Sequence, residues 1–355
     1  MKAVVLAGGK GSRLRPFTYT GAKQLIPIAN KPVLFYALEQ LTALGVHEVA
    51  VVVGETGDQV RAALGDGSQF GLCLSYVQQD APRGIAHAVG LCREFVGAHD
   101  FVVVLGDNFA RDGIREPIDA FRAANLDCGV VLSRVPNPQA FGVAEFAGER
   151  LVRVVEKPAV PPSDLAITGI YYFSPAVFPV IAALRPSARG ELEITDAIQA
   201  LLEGEARVGH ALLTGPWIDT GKMADILEAN RLVLAKLERA IAGEVDAESS
   251  IVGAVVVGAG ASVRRSVIKG PAIIAPDCRI EDAYIGPFTA IDRGSVVRGT
   301  EIADSIVLDH CRLELVPGRL EESLIGRDVV VAGVDRRPRV YQLMLGDHSR
   351  IAIPG

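Results

Sequence analysis

Hydrophobic positions along the chain follow two different periods. Up to about Glu238, short apolar runs alternate with stretches of helical spacing. Lys2–Leu6, Val49–Val53, Leu72–Val77 and Phe101–Leu105 are strand-like runs rich in β-branched residues. Between and after them, Pro32–Leu44, Val60–Leu64, Gly84–Phe95 and Ile114–Ala124 read as helices. Asn30 stands near the N-cap of the first helix, and Gly45 just past its end. Such βα alternation predicts a mostly parallel sheet with helices on both faces, and ligands beyond the carboxyl ends of the strands. From Gly129 the runs crowd together: Val130–Val135, Gly142–Phe146, Leu151–Glu156 and Ile167–Phe173. They predict a substrate-facing insertion with some antiparallel pairing. Helices return over Ile194–Leu202 and Met223–Ala242.

Beyond Glu244 the period changes. Aliphatics recur six residues apart in the pairs Val257 and Val263, Ile274 and Ile280, Ile291 and Val297, and each pair follows the last by 17 residues. Ile268, Ile285 and Ile302 keep the same step. Gly, Pro, Ser and Asp fill the gaps. A six-residue unit with one inward aliphatic makes one short strand and one turn, and three units close a triangular coil. Stacked coils bury the column that a single coil leaves exposed. The pattern resembles the left-handed parallel β-helix of hexapeptide-repeat proteins, with Ser323–Gly326 and Val329–Val331 as a last coil. An ordinary β-meander gives no reason for coils in register.

The bulk numbers narrow the partners. The 355 residues are 49% hydrophobic and 22% charged, with a formal net charge of −6 and no basic block. Nucleic acid as a bulk partner is excluded, since its binding needs a positive footprint. No apolar run reaches the roughly 20 residues that span a bilayer, so no membrane partner is expected. Ala3–Ala7 is too short for a signal-peptide core. Cys73, Cys92, Cys128, Cys278 and Cys311 have neither zinc-site nor redox-motif spacing, as expected of reduced thiols in a cytoplasmic protein.

Candidate chemistry begins directly after the first strand. The run Leu6-Ala7-Gly8-Gly9-Lys10-Gly11-Ser12-Arg13-Leu14-Arg15-Pro16 is followed by Lys23-Gln24-Leu25-Ile26-Pro27. Gly8, Gly9 and Gly11 let backbone N–H groups approach phosphate oxygens. Arg13 offers a planar fork for a pyrophosphate, and Lys23 a point charge for a triphosphate. The P-loop spacing is absent, and Leu14 occupies the third glycine position of a dinucleotide fingerprint. Glycines alone are as consistent with a tight structural turn. Asp107, in Leu105-Gly106-Asp107-Asn108, ends a strand, where an aspartate can hold Mg²⁺ with positions open for phosphate oxygens. Asp219, in Trp217-Ile218-Asp219-Thr220-Gly221, is a second such candidate, and either alone reads equally well as a turn residue.

Leu-Ala-Gly-Gly-x-Gly-Ser-Arg-Leu-x-Pro with Lys-Gln-Leu-x-Pro resembles the sugar-phosphate nucleotidyltransferases. The C-terminal repeats point to the long-form branch that makes dTDP-glucose in deoxysugar pathways. The resemblance implies an α/β, Rossmann-like nucleotidyltransferase domain with a mixed, mostly parallel sheet over residues 1–243. A left-handed parallel β-helix of hexapeptide repeats with a C-terminal tail would fill residues 244–355. It implies the reaction of dTTP with glucose 1-phosphate to give dTDP-glucose and pyrophosphate. Mg²⁺ would be held by Asp107 and Asp219 together. Leu6, Gly8, Gly9, Gly11, Ser12, Gln24, Gln79, Gly84 and Asp107 would bind the nucleotide. Asn108, Gly142, Glu156, Lys157, Gly169 and Tyr171 would bind the sugar phosphate. Arg13, Lys23, Asp107 and Lys157 would carry the catalysis. Gln24 and Gln79 each supply a donor and an acceptor, which suits a pyrimidine imide. His87 is read as a packing or supporting residue, and Arg189 as a further candidate for the sugar pocket.

Three rival readings stand beside this one. The first is the same chemistry with UTP or another sugar 1-phosphate. The second adds an acyltransferase in the β-helix, although His310 and His348 lie in no recognisable motif. The third is a non-catalytic scaffold, which would not require Arg13, Lys23, Asp107, Lys157 and Asp219 all together. A homo-oligomer, trimer or tetramer, is expected because a solenoid needs its column capped or packed.

Overall fold

The computed structural model describes residues 1–333 and 343–352. The chain forms two compact units. One holds Met1–Gly11, Gly21–Leu25 and Val33–Asp219; the other holds Ser12–Thr20, Ile26–Pro32 and the chain from Thr220 onward.

The first unit is built on a nine-stranded sheet. Its parallel part is β1 (Lys2–Ala7), β2 (Glu48–Val53), β3 (Cys73–Gln78) and β4 (Phe101–Leu105), with β3 at the sheet edge; they are connected through α1 (Val33–Ala43), α2 (Gly57–Leu64) and the short helices α3 (Ile85–Gly90) and α4 (Arg93–Val96). β1 pairs in parallel with both β2 and β4, and β2 with β3. Central parallel strands are covered on both faces, so their residues are nearly all aliphatic. Val4 and Val103 belong to one buried cluster, Val5 and Val104 to the cluster on the opposite face. Next come β5 (Asn108–Ala110), α5 (Arg115–Ala123), β6 (Cys128–Arg134), β7 (Gly142–Ala147), β8 (Arg150–Glu156) and β9 (Leu165–Phe173). The expected antiparallel pairing is present: β9 runs against both β4 and β6, and β8 against β7. The unit ends with α6 (Val177–Ala183), α7 (Ile194–Glu203), β10 (Val208–Leu212) and β11 (Trp217–Asp219). Expected helix Gly84–Phe95 is in fact α3 and α4, separated at Leu91–Cys92.

The second unit contains α8 (Met223–Leu234) and three parallel sheets of six, six and five short strands, the arrangement of a left-handed parallel β-helix. Val257, Ile274 and Ile291 stack in register, as do Val263, Ile280 and Val297, and Ile268, Ile285 and Ile302. All nine side chains are buried. The solenoid also includes a coil through Val307, Leu313 and Leu320 that the sequence pattern did not locate. Ile291 pairs with Val307 and Ile302 with Leu320, so the step shortens and then lengthens around each loop. The last coil uses Leu324–Ile325 and Val330–Ala332. The helix expected over Met223–Ala242 is too long. It stops at Leu234, and Ala240–Ile241 already pairs with Val256–Val257, a few residues before the 243/244 junction.

Within this unit the early segments fasten to the solenoid. The backbone N–H of Ala29 donates to the fully buried Asn230 side chain, whose Nδ2 donates to the Phe288 carbonyl at 2.9 Å. Asn30 Nδ2 donates to the Ile291 carbonyl at 2.9 Å. Asn30 is thus a tether to a coil, whereas the sequence placed it at a helix N-cap.

Candidate active site

The loop after β1 approaches two side-chain amides. A Cβ at Gly8 would lie 3.3 Å from both Gln79 Oε1 and the Gly54 nitrogen, and one at Gly9 would lie 3.5 Å from Gln24 Nε2. Gly11 takes φ 61°. Gln24 lies in a 3-10 turn, 1% exposed, and its buried Oε1 has no hydrogen-bond partner among the described residues. Gln79 follows β3, and its backbone N–H donates to the Val53 carbonyl at 2.8 Å. Gly84 precedes α3 at φ 100°, and a Cβ there would strike the Leu192 backbone. Leu6 contributes its carbonyl, which accepts from the Gly106 N–H at 2.9 Å. Ser12 and Arg13 sit in a 3-10 turn of the second unit. There the Asp225 carboxyl is pushed up by burial, an effect that Lys222 and Arg13 oppose.

Asp107 lies just past the carboxyl end of β4 and forms an ion pair with Lys23, both side chains being nearly buried. Asn108 Nδ2 donates to Asp107 Oδ1 at 3.3 Å. Asp219 ends β11 directly opposite Asn108 in an antiparallel pair. One candidate metal aspartate, Asp219, therefore stands on a strand opposite the residue that follows the other, Asp107, in the turn before β5. Among the described residues, no cluster of three or more His, Cys, Asp or Glu is arranged to hold a metal.

Glu156 and Gly142 face each other where β8 and β7 pair. A Cβ on Gly142 would lie 3.2 Å from Glu156 Oε2. Arg189 Nη2 reaches Glu156 at 3.3 Å and Lys157 Nζ lies at 3.7 Å. Thr195 Oγ1 donates to Glu156 at 3.4 Å. Burial pushes the Glu156 carboxyl up, Lys157 pulls it down, Glu193 pushes it up and Arg189 pulls it down; burial is the largest effect. Lys157 occupies the left-handed region at φ 41°, a conformation uncommon outside glycine and concentrated at functional positions. Gly169 lies at φ 73° inside the register shift between Ile167 and Tyr171, and a Cβ there would meet the Leu105 side chain at 2.5 Å. It allows a bulge over β4. Tyr171, expected in the sugar pocket, is 2% exposed and stacks on Phe173 in the core. Burial raises its hydroxyl first and the Glu156 charge second.

A family model described as "Nucleotidyl transferase" matches residues 2–236. The chain belongs to the nucleotidyl transferase family. A glucose-1-phosphate thymidylyltransferase of Streptomyces griseus is 49% identical to this family member, over 99% of each chain. One of Streptomyces antibioticus is 47% identical over the same share of each. A crystal structure of a Bacillus anthracis protein provisionally assigned as a glucose-1-phosphate thymidylyltransferase superposes with a TM-score of 0.62 at 38% identity. It spans 65% of this chain and 94% of its own.

Three residues beside the candidate ones in this nucleotidyl transferase were not singled out from the sequence. Thr195 and the buried Glu193 flank the start of α7, and Glu193 binds Arg189 through Nε at 3.1 Å and Nη2 at 2.7 Å. Arg189, already a candidate, is thus fixed against Glu156 by a second carboxylate. The only signal was the cluster Glu191-Leu-Glu193-Ile-Thr195 ahead of a helical run. Trp217 packs edge-on against Phe141 at 5.3 Å, and its buried Nε1 has no hydrogen-bond partner among the described residues.

Proposed function

We propose that this nucleotidyltransferase transfers a thymidylyl group from dTTP to α-D-glucose 1-phosphate, releasing dTDP-glucose and pyrophosphate. End-to-end similarity to two enzymes of that name carries the reading. The chemistry of the site supports it. A buried amide oxygen without a partner costs about 1–3 kcal/mol, so Gln24 Oε1 is an acceptor kept for a ligand. With Gln79 it frames the pyrimidine beside Gly8 and Gly9, while Gly84 shapes the pocket wall. Leu6, Gly11 and Ser12 complete the nucleotide loop, and Asn108, Gly142 and Gly169 shape the sugar side.

The donor set at Asp107 and Asp219 fits Mg²⁺, which commonly takes one or two carboxylates and keeps several waters. When bound, the ion supplies Lewis-acid stabilisation of the charge that develops on the phosphates. Lys23, paired with Asp107 in the structure, is placed to exchange that partner for the triphosphate. Glu156 accepts hydrogen bonds from sugar hydroxyls, and Lys157 meets the sugar phosphate. A phosphate oxygen of the sugar attacks the α-phosphorus, the bond to the bridging oxygen of the pyrophosphate breaks, and Arg13 steadies the leaving group. The nucleophile is already an anion, so no general base is required. Positioning and charge neutralisation supply the rate. No helix among the described residues is long and apolar enough to cross a membrane, and we place the enzyme in the cytoplasm.

The test is pyrophosphate release across dTTP, UTP, GTP and ATP, each with glucose 1-phosphate, N-acetylglucosamine 1-phosphate and mannose 1-phosphate. The dTTP and glucose 1-phosphate pair should give the highest kcat/KM. A higher value for any other pair would overturn the assignment. Lys157→Ala should raise KM for the sugar phosphate and lower kcat. A defect confined to the nucleotide would remove Lys157 from the sugar side.

A further inference from the structure

The side-chain amide of Gln79 has both of its N–H groups committed within the protein. Nε2 donates to the Gly84 carbonyl at 3.4 Å and meets His87 Nδ1 at 3.1 Å. His87 is half-buried on α3, one turn beyond Gly84. Its Nδ1 accepts when the neutral ring carries its proton on Nε2. The group left for a ligand is then Oε1, the atom that faces Gly8.

We infer that His87 is a positioning residue that fixes the donor–acceptor polarity of Gln79, so that the nucleotide pocket presents an acceptor and selects an imide base over cytosine. This rests on the reading above, in which Gln79 addresses the base edge. Thymine and uracil carry an N3–H that donates to Oε1. Cytosine N3 carries a lone pair and would meet Oε1 acceptor to acceptor, leaving a buried pair unmade. Turning the amide over would set Oε1 against the Gly84 carbonyl and the His87 lone pair together. Gly84 has little freedom to retreat. It is held at φ 100° against Leu192, and its carbonyl also accepts from the Ala88 N–H at 3.3 Å. The Gly84 bond to Gln79 is long, so the closer His87 contact sets the orientation. A histidine that only packed on α3 would affect all nucleotides alike.

The measurement is kcat/KM for dTTP and for dCTP, each with saturating glucose 1-phosphate, on the full-length protein and three variants. His87→Phe keeps the ring and removes the acceptor. His87→Leu is the replacement should the first variant fail to fold. His87→Asn keeps an acceptor close to the Nδ1 position. The dTTP-to-dCTP ratio should fall about tenfold in His87→Phe or His87→Leu, the scale of one hydrogen bond's net worth. It should return to within about threefold of the parent in His87→Asn. An unchanged ratio in a folded Phe or Leu variant overturns the inference, as does an Asn variant as relaxed as the Phe variant. A parent enzyme that uses dCTP as well as dTTP overturns the nucleotide reading and this inference with it. That result is distinct because it appears before any variant is made.

Discussion

The two units handle charge in opposite ways. On the solenoid, Arg264, Glu281, Arg298 and Glu314 stack in register on one sheet, alternating in sign. Arg265 reaches Glu281 and Asp282, each at 2.7 Å, with all three side chains more than 40% exposed. Arg265 holds the Asp282 carboxyl below its usual range, yet both ends stay in water, where such pairs are worth little. At the candidate site of the α/β unit the same residue types are placed where they lose water. Lys23 and Asp107 are nearly buried, and burial raises Glu156 despite two cations beside it. Side chains that cost stability where they stand are kept for another purpose, and they cluster at the carboxyl ends of the strands. The exposed pairs on the solenoid keep their water, whereas the charges at the candidate site have given much of it up.

Four substitutions can break or sharpen that contrast. Ile285→Ala opens a cavity in the central column and should cost about 2–5 kcal/mol of stability. It should lower Tm while leaving kcat per folded molecule unchanged; a changed kcat in folded protein would tie the solenoid to the chemistry. Asp107→Asn should do the reverse. Turnover should fall about 10²–10³-fold, with only a small change in Tm because Asn still accepts from Lys23. Near-normal turnover would remove Asp107 from the metal site. Glu156→Gln should raise KM for glucose 1-phosphate about tenfold, or roughly 1.4 kcal/mol. Because the folded state raises the Glu156 pKa, its charged form opposes folding above that pKa, and protonation as pH falls relieves the cost. The Gln variant should therefore melt at or above the parent near neutral pH, and a lower Tm would make Glu156 a structural ion-pair member. Arg265→Ala should leave both Tm and kinetics indistinguishable from the parent.

Much of the fold was legible because its periods are local. The 17-residue step located three coils, since each aliphatic had to fall on one column. The coil through Val307, Leu313 and Leu320 escaped because its loops change length, as from Ile291 to Val307, while strand register is kept. The overlong helix ending at Ala242 has a tertiary cause. Nothing in Leu237–Ala242 forbids a helix, and pairing of Ala240–Ile241 with Val256–Val257 decides otherwise. Candidate residues in contiguous motifs, such as Gly8, Lys23 and Asp107, could be read directly. The support that Arg189, Glu193 and Thr195 give Glu156 could not, because it joins segments more than 30 residues apart.

The tethers from Ala29 and Asn30 also bear on synthesis. Asn30 hydrogen-bonds a carbonyl 261 residues further along the chain. At roughly 5–20 residues per second, a ribosome takes on the order of tens of seconds to cover that distance. Through that interval the segment after the phosphate loop is already made, and its farthest partner, the Ile291 carbonyl, is not. The Asn30 contact can close only when the coil holding Ile291 has emerged, so this part of the nascent chain is completed late although it is translated almost first.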